Sequence, residues 1–483
     1  MCQVVASDAS SEGGAAMTEA ATQNGTTGQD EPALKRVMGP WLLLLFVVGD
    51  ILGTGVYALT GKVAAEVGGA VWLPFLAAFV VAVLTAFSYL ELVTKYPRAA
   101  GAALYTHKAF GIHFLTFMVT FAVMCSGLTS ASSASKAFAG NFAEAFDLSL
   151  GEGLGLTAVA VAFMTLIALI NFRGVGESVK LNVLLTCVEL TGLLIVIGIG
   201  AWALGGGEGD MSRLVQFDSP PGENAFFSVT AATALAFFAM VGFEDSVNMA
   251  EETKDPVRIF PKVMLTGLGI TGLIYVLVSI SSVALVSPED LSEGDAPLLK
   301  VVAAGAPAFP ITIFAFITMF AVANSALINM LMASRLLYGM ANEKVLPRIL
   351  GRVHRTRRTP WVGIIFTTLI AFGLIWFADL TALGGTTSLL LLCVFTIVNI
   401  AVLVLRRDSV EHKHFRSPTA IPVIGAIVCA YLASPLSGRA SADYKVAGVL
   451  LIIGAVLWAI TYATNRFILH EDTTLDPTHL SEK

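Results

Sequence analysis

The chain has 483 residues, of which 56% are hydrophobic and 13% charged, and carries a formal net charge of −6. That composition excludes an ordinary soluble globular protein, in which about a quarter of the residues are charged. It specifies a polytopic membrane protein, and the chain has no Walker A string, His-Glu-x-x-His or Gly-x-Ser-x-Gly sequence that would support nucleotide-driven pumping or hydrolysis.

Residues 1–35 are rich in Ala, Ser, Thr, Gly and Gln, with no apolar period and no basic stretch leading into an apolar one. They read as a disordered cytoplasmic tail, and Met17 offers an alternative start. At about 20 residues per span, twelve helices are expected near 39–60, 68–94, 111–138, 154–172, 180–204, 225–250, 262–287, 309–340, 361–379, 384–406, 420–436 and 444–466. The eleventh is the weakest, because Pro422, Gly425 and Pro435 interrupt it; a re-entrant or short tilted segment is the alternative there. These spans make residues 36–467 one twelve-helix membrane domain, and residues 468–483 a polar C-terminal tail on the cytoplasmic side.

Two spans are interrupted. The first contains Gly49-Asp50-Ile51-Leu52-Gly53-Thr54-Gly55 and the sixth contains Val241-Gly242-Phe243-Glu244-Asp245. Lipid offers no partners to freed backbone groups, so a broken helix persists only inside protein or beside a watery cavity. The freed groups can then hold a solute. The breaks lie five spans apart, an odd offset that inverts one relative to the other, which is the inverted-repeat plan of secondary transporters, here about 39–204 and 225–406. Close helix packing is the plainer use of a membrane glycine, but it does not explain two breaks in corresponding places.

Basic residues crowd alternate loops: Lys95, Arg98 and Lys108; Lys254, Arg258 and Lys262; Arg348 to Arg358; Arg406, Arg407, Lys413 and Arg416. These loops face the cytoplasm. The opposite loops carry acids, among them Glu144, Asp147, Glu152, Glu208, Asp210, Glu289, Asp290, Glu293 and Asp295. Both termini are therefore placed inside, in a multi-pass protein of the plasma membrane, and the basic loops are topology signals with no nucleic-acid role. Four of the five cysteines, Cys125, Cys187, Cys393 and Cys429, fall within spans, so no disulfide framework is implied. His412 and His414 sit in a basic loop without further ligands, and neither a metal nor a cofactor is expected.

At Gly53-Thr54-Gly55-Val56-Tyr57 the chain resembles the amino acid, polyamine and organocation transporter superfamily, whose first span carries a Gly-x-Gly break of this kind. Tyr96 to Tyr105, the stretch FFAMVGFEDSVNMAEETKDPVRIFPK around the second break, and Ala333 to Pro360 agree with it, and the likeness runs from about residue 36 to 466. The resemblance implies an all-α membrane protein of LeuT-like architecture, a 5+5 inverted repeat with helices 1 and 6 broken and two further helices, and transport of amino acids or related amines. Some relatives are disulfide-linked to a glycoprotein chain through a cysteine after span three. The corresponding loop here, Gly140 to Gly153, has none, so no such heavy chain is expected.

An amino acid zwitterion must bring two charges out of water, at a cost of several kcal/mol for each left uncompensated. Unwinding at Gly53, Thr54 and Gly55 presents N–H groups at a half-helix N-terminus, suited to the solute carboxylate. Unwinding after Phe238 frees carbonyls of Ala239, Met240 and Val241 for the ammonium, with Gly242 supplying the permissive dihedrals. Phe238 and Phe243 are placed as an aromatic gate. In the polar run of span three, Cys125 and Thr129 are the candidate solute contacts.

Three acids lie deep enough to need a reason: Asp50, Glu189 and Glu244. An ionisable group inside the membrane marks function by default. Glu189 stands where some proton-coupled relatives carry a lysine, so it either binds the coupling proton or hydrogen-bonds structurally to span one or eight. Asp50 is either a counter-ion for a cationic side chain or a cap on the break. Glu244 is assigned to gating or proton relay. Proton-coupled uptake is the leading expectation; exchange of cationic amino acids or polyamines for related amines is the alternative, and sodium coupling through Thr54 and Ser325 stays open. Glu91, Arg335 and Lys136 are expected to snorkel or to pair near the span ends.

Overall fold

The computed structural model describes residues 38–98, 101–148, 153–173, 178–219, 224–250, 252–357 and 359–469. Residues 1–37 and 470–483, with Cys2 and Met17, lie outside them, as do Glu152 and Arg358. The described residues form helices α1 (Pro40–Ile51), α2 (Thr54–Val67), α3 (Trp72–Lys95), α4 (Gly101–Phe110), α5 (His113–Ala145), α6 (Leu154–Arg173), α7 (Ser178–Gly205) and α8 (Ala225–Ala236). They continue with α9 (Pro256–Leu285), α10 (Pro288–Ser292), α11 (Pro297–Gly305), α12 (Ile311–Asn342), α13 (Trp361–Phe377), α14 (Leu380–Leu405), α15 (Ala420–Ala433) and α16 (Ser441–Thr464). Among the described residues there is no strand, only isolated bridges between Met38 and Thr253 and between Gly68 and Phe217.

Ten of the helical stretches are long and apolar enough to cross a membrane, with α1 and α2 counted together as Pro40–Val67; α13 and α15 are apolar but shorter. The expected eleventh span is the 14-residue α15, roughly 21 Å of rise against a hydrocarbon core of about 30 Å. Pro422 and Gly425 are accommodated within α15, and its end is set by Pro435 and Gly438. Pro435 opens a 3-10 turn, and Gly438 takes φ +79° to reverse the chain. Three helices fall where loops were expected: α4 after span two, and α10 and α11 in the acidic segment after span seven. Each is short, and Pro288 and Pro297 start the latter two at positions where a missing N–H costs nothing.

Both interruptions are present. Leu52 and Gly53 separate α1 from α2, and past Ala236 the sixth span tightens into 3-10 turns over Phe237–Met240 and Asp245–Met249, with an extended Val241 and Gly242 at φ +125° between them. Around these breaks α5 packs along α12 and α14, α3 along α9, α7 along α1 and α9, and α2 along α8. The breaks are thus enclosed by helices, as backbone without a helical partner requires inside a membrane.

One end of the bundle is fastened by an ion pair and the hydrogen bonds around it. Glu91, 2% exposed, accepts from Arg406 Nε and Nη2 at 2.8 and 2.7 Å and from Ser417 N and Oγ at 2.9 and 2.8 Å. Lys95 donates to the carbonyls of Leu405 and Asp408 at 2.5 and 2.7 Å, and Tyr96 donates to Asp408 at 3.1 Å. Burial and that bond push the Tyr96 hydroxyl up to about 12. Glu91 therefore pairs with Arg406 at the C-terminal cap of α14; Arg335 is exposed and lies within electrostatic reach of Glu252. His412 is 3.0 Å from the Thr94 carbonyl, and the described residues hold no cluster of metal-ligand type.

Candidate functional site

The two breaks face each other. A Cβ on Gly55, in the first turn of α2, would run into Cα and Cβ of Ala239, and a Cβ on Gly242 would stand 2.6 Å from the carbonyl oxygen of Asp50. The N-terminal turn of α2 therefore lies on the 3-10 turn of the sixth span, while the loop at Gly242 lies on the end of α1. Only glycine allows both approaches. Gly53 borders α12, where a Cβ would be 3.2 Å from Ser325 Oγ.

Tyr275 of α9, Thr186 of α7 and Tyr57 of α2 tie the first break to its neighbours. Tyr275 donates to the carbonyl of Ile51 at 2.5 Å, satisfying an acceptor that the end of α1 leaves open. Tyr57 donates to the carbonyl of Glu189 at 2.6 Å and ties α2 to α7. Thr186 packs onto Gly49 so closely that any side chain there would strike it. Thr60 is turned back on its own helix, donating to Val56 at 2.6 Å. Sequence reading missed Thr186, although it stands one turn from Glu189 on the same face of α7, a spacing that would have disclosed it.

The acids gather on the same side. Asp50, beside the break, lies within electrostatic reach of Asp245, Glu244 and Glu189, and no basic group is among the charges that act on it. Glu189 is fully buried. Neither of its carboxyl oxygens has a hydrogen-bond partner among the described residues, and the same holds for Asp50 Oδ2, Thr54 Oγ1 and Thr186 Oγ1. Glu244 differs: its Oε2 accepts from the Gly242 N–H at 2.9 Å and so caps the second break from within. A fully ionised set would cost several kcal/mol for each uncompensated charge. The cluster calls for positive charge, either a proton or the cationic group of a solute.

The remaining predicted residues are distributed around this centre. Phe238, 4% exposed, lies beside Gly384 of α14, whose Cβ would come within 3.6 Å of its ring. Phe243 is fully buried in an aromatic cluster, with Tyr89 edge-on at 5.9 Å and Phe395 at 5.4 Å between ring centroids. Thr129 is bonded across to Thr387 of α14 at 2.6 Å, and Cys125 beside it is fully buried. Asn329 of α12, which sequence reading passed over, donates to the Ser325 carbonyl at 2.9 Å and reaches Ser130 of α5 at 3.4 Å. Glycines at two opposed breaks, hydroxyls and unpartnered carboxyls form a polar centre inside an otherwise apolar bundle, an arrangement that can bind a small amphoteric solute.

The profile of the amino acid permease family matches residues 38–460. The chain belongs to that family. This permease is 28% identical over 434 residues to the methylthioribose transporter of Bacillus subtilis, covering 84% of this chain and 89% of that one. It is 24% identical over 447 residues to the branched-chain amino acid permease BcaP of the same organism, covering 89% and 93%. With cationic amino acid transporter 9, chloroplastic, of Arabidopsis thaliana it shares 30% identity over 341 residues, covering 67% of this chain and 58% of that one. The permease is thus a multi-pass membrane transporter and not an enzyme, and amino acids are the general class of solute.

Proposed function

We propose that this permease is a secondary active transporter that carries amino acids across the plasma membrane by alternating access, coupled to proton entry, on a twelve-span scaffold of two inverted five-helix repeats with both termini in the cytoplasm. The observation that carries this reading is the seating of one break on the other, Gly55 on Ala239 and Gly242 on Asp50. The solute carboxylate takes the N–H groups of Gly53, Thr54 and Gly55, and its ammonium takes the carbonyls of Ala239, Met240 and Val241. Phe238 closes over it, Phe243 holds the second break in shape through Tyr89 and Phe395, and Glu189 carries the proton. The α2 half-helix is buried from Thr54 to Gly61, and Gly61 is packed under the Leu291 carbonyl, which fits a state closed on that side.

A second reading, exchange of a cationic amino acid or polyamine for a related amine, draws on the acidic cluster, since Asp50 can serve a solute cation as well as a proton can. Reconstitution in liposomes separates the two. Uptake of amino acids and polyamines is surveyed with and without an inward proton gradient, beside a Gly55→Leu control. Uptake driven by the gradient and lost in the control is expected; uptake only into vesicles preloaded with an amine would replace the symport reading with exchange.

A further inference from the structure

A second polar cavity lies well away from the breaks, at the end of the bundle that the loop charges place outside. Its volume is about 550 Å³, and Lys62, Lys136, Glu144, Asp147, Asp295 and Lys300 are among its lining residues. Lys62 stands on α2 two turns beyond the break, roughly 12 Å along the helix, so the same rod that forms the first break also walls this cavity.

The floor is basic. Lys62 holds Asp295 at 3.6 Å and donates to the carbonyl of Ser292 at 3.2 Å. Lys136, half-buried on the membrane helix α5, closes no ion pair and donates no hydrogen bond among the described residues; Asp295 and Asp379 act on it only at longer range. Asp295 is thus taken up by Lys62 and leaves Lys136 without a close counter-charge, and a half-buried charge without a close partner is costly until an anion supplies one. The rim has the opposite sign, with Glu144 and Asp147 both exposed. The cavity volume falls within the usual range for small-molecule sites, about 300–1,000 Å³.

We propose that this cavity is a second, outer binding site for amino acid zwitterions, distinct from the site at the breaks, with the solute carboxylate between Lys62 and Lys136 and its ammonium toward Glu144 and Asp147. A solute held there bridges α2, α5 and the α10–α11 segment, since Gly140 of α5 already lies under Asp295, with a Cβ at 3.0 Å. The inference takes its solute class from the transport reading above and adds a site to it.

Equilibrium binding of radiolabelled leucine, arginine, glutamate and glycine to the purified full-length protein in detergent tests it. The wild type is expected to bind two molecules per chain of the accepted amino acid and Lys136→Met one, with melting curves confirming that the variant is folded. Asp295→Asn frees Lys62 from its competing carboxylate and is expected to tighten the outer site severalfold, whereas a purely structural Asp295 would weaken it on removal. One molecule bound by the wild type and kept by Lys136→Met, with no tightening in Asp295→Asn, would overturn the outer site alone. Absence of binding by all three proteins with all four amino acids would overturn the transport reading as well.

Discussion

Gly242 lies against Asp50: with φ at +125°, its backbone approaches the Asp50 carbonyl so closely that a Cβ would stand 2.6 Å from the oxygen. The break in the sixth span is therefore built on the end of α1, and the two cannot be repaired independently. A residue other than glycine at such a φ costs about 1–3 kcal/mol, before any displacement of α1. Gly242→Ala is expected to lower the maximal uptake rate by about tenfold or more, the rate equivalent of about 1.4 kcal/mol. Gly207 is the matched control, with φ +83° but open space around it. Gly207→Ala bears conformational strain alone and should keep uptake near the wild-type rate; equal losses in the two variants would show that strain and not the seating of the breaks is responsible.

Glu189 is buried with both carboxyl oxygens unpartnered, which weakens the structural hydrogen-bond role that was the other expectation for it. Removing its capacity for charge should thus cost transport and not the fold. Glu189→Gln is expected to reduce uptake under a proton gradient to the level without one, with a melting temperature no lower than that of the wild type. A variant that melts earlier and still responds to the gradient would assign Glu189 to scaffolding.

The positions of the breaks and most span boundaries were legible because apolar run length and glycine placement are local properties. Pro40–Val67 and Ala225–Met249 match the first and sixth expected spans within a few residues, apart from the longer outer end of α2. What the sequence did not disclose depends on distance across the fold. Thr387 as the partner of Thr129, Tyr275 as the donor to Ile51 and Arg406 as the partner of Glu91 lie 258, 224 and 315 residues away. Short helices such as α10 were missed for a different reason: five residues with Leu291 as their one large apolar side chain supply no apolar period, and the fold of Pro288–Ser292 is fixed by the Ser287 cap on the Asp290 N–H.

The Glu91–Arg406 pair is a bidentate bond between a carboxylate 2% exposed and a guanidinium 12% exposed. Breaking one side of such a pair leaves the other charge uncompensated, at about 3–5 kcal/mol. Glu91→Gln should lower the melting temperature in detergent by many degrees, while the fraction that remains folded transports at the wild-type rate. Arg406→Lys should fall between, because a lysine cannot form the fork that spans both carboxylate oxygens.

Arg439 makes the complementary fastening at the other end. Its Nη1 donates to the Gly385 carbonyl at 2.6 Å and to Asp443 at 3.0 Å, Nη2 reaches the Ala234 carbonyl at 3.4 Å, and both nitrogens meet Ser388 at 3.0 Å. One buried side chain thereby ties α8, α14 and α16 together beside Phe238 and Gly384. Lysine brings a point charge to the same place but not a planar set of donors, so Arg439→Lys should keep Asp443 compensated while losing the reach to Ala234 and Gly385. The break-side end of α8 would then separate from α14 more often. A cysteine placed at Thr233, 4% exposed, should react severalfold faster with an impermeant thiol reagent added outside when Arg439 is lysine. Unchanged labelling together with a lowered melting temperature would make Arg439 a static tie with no part in opening.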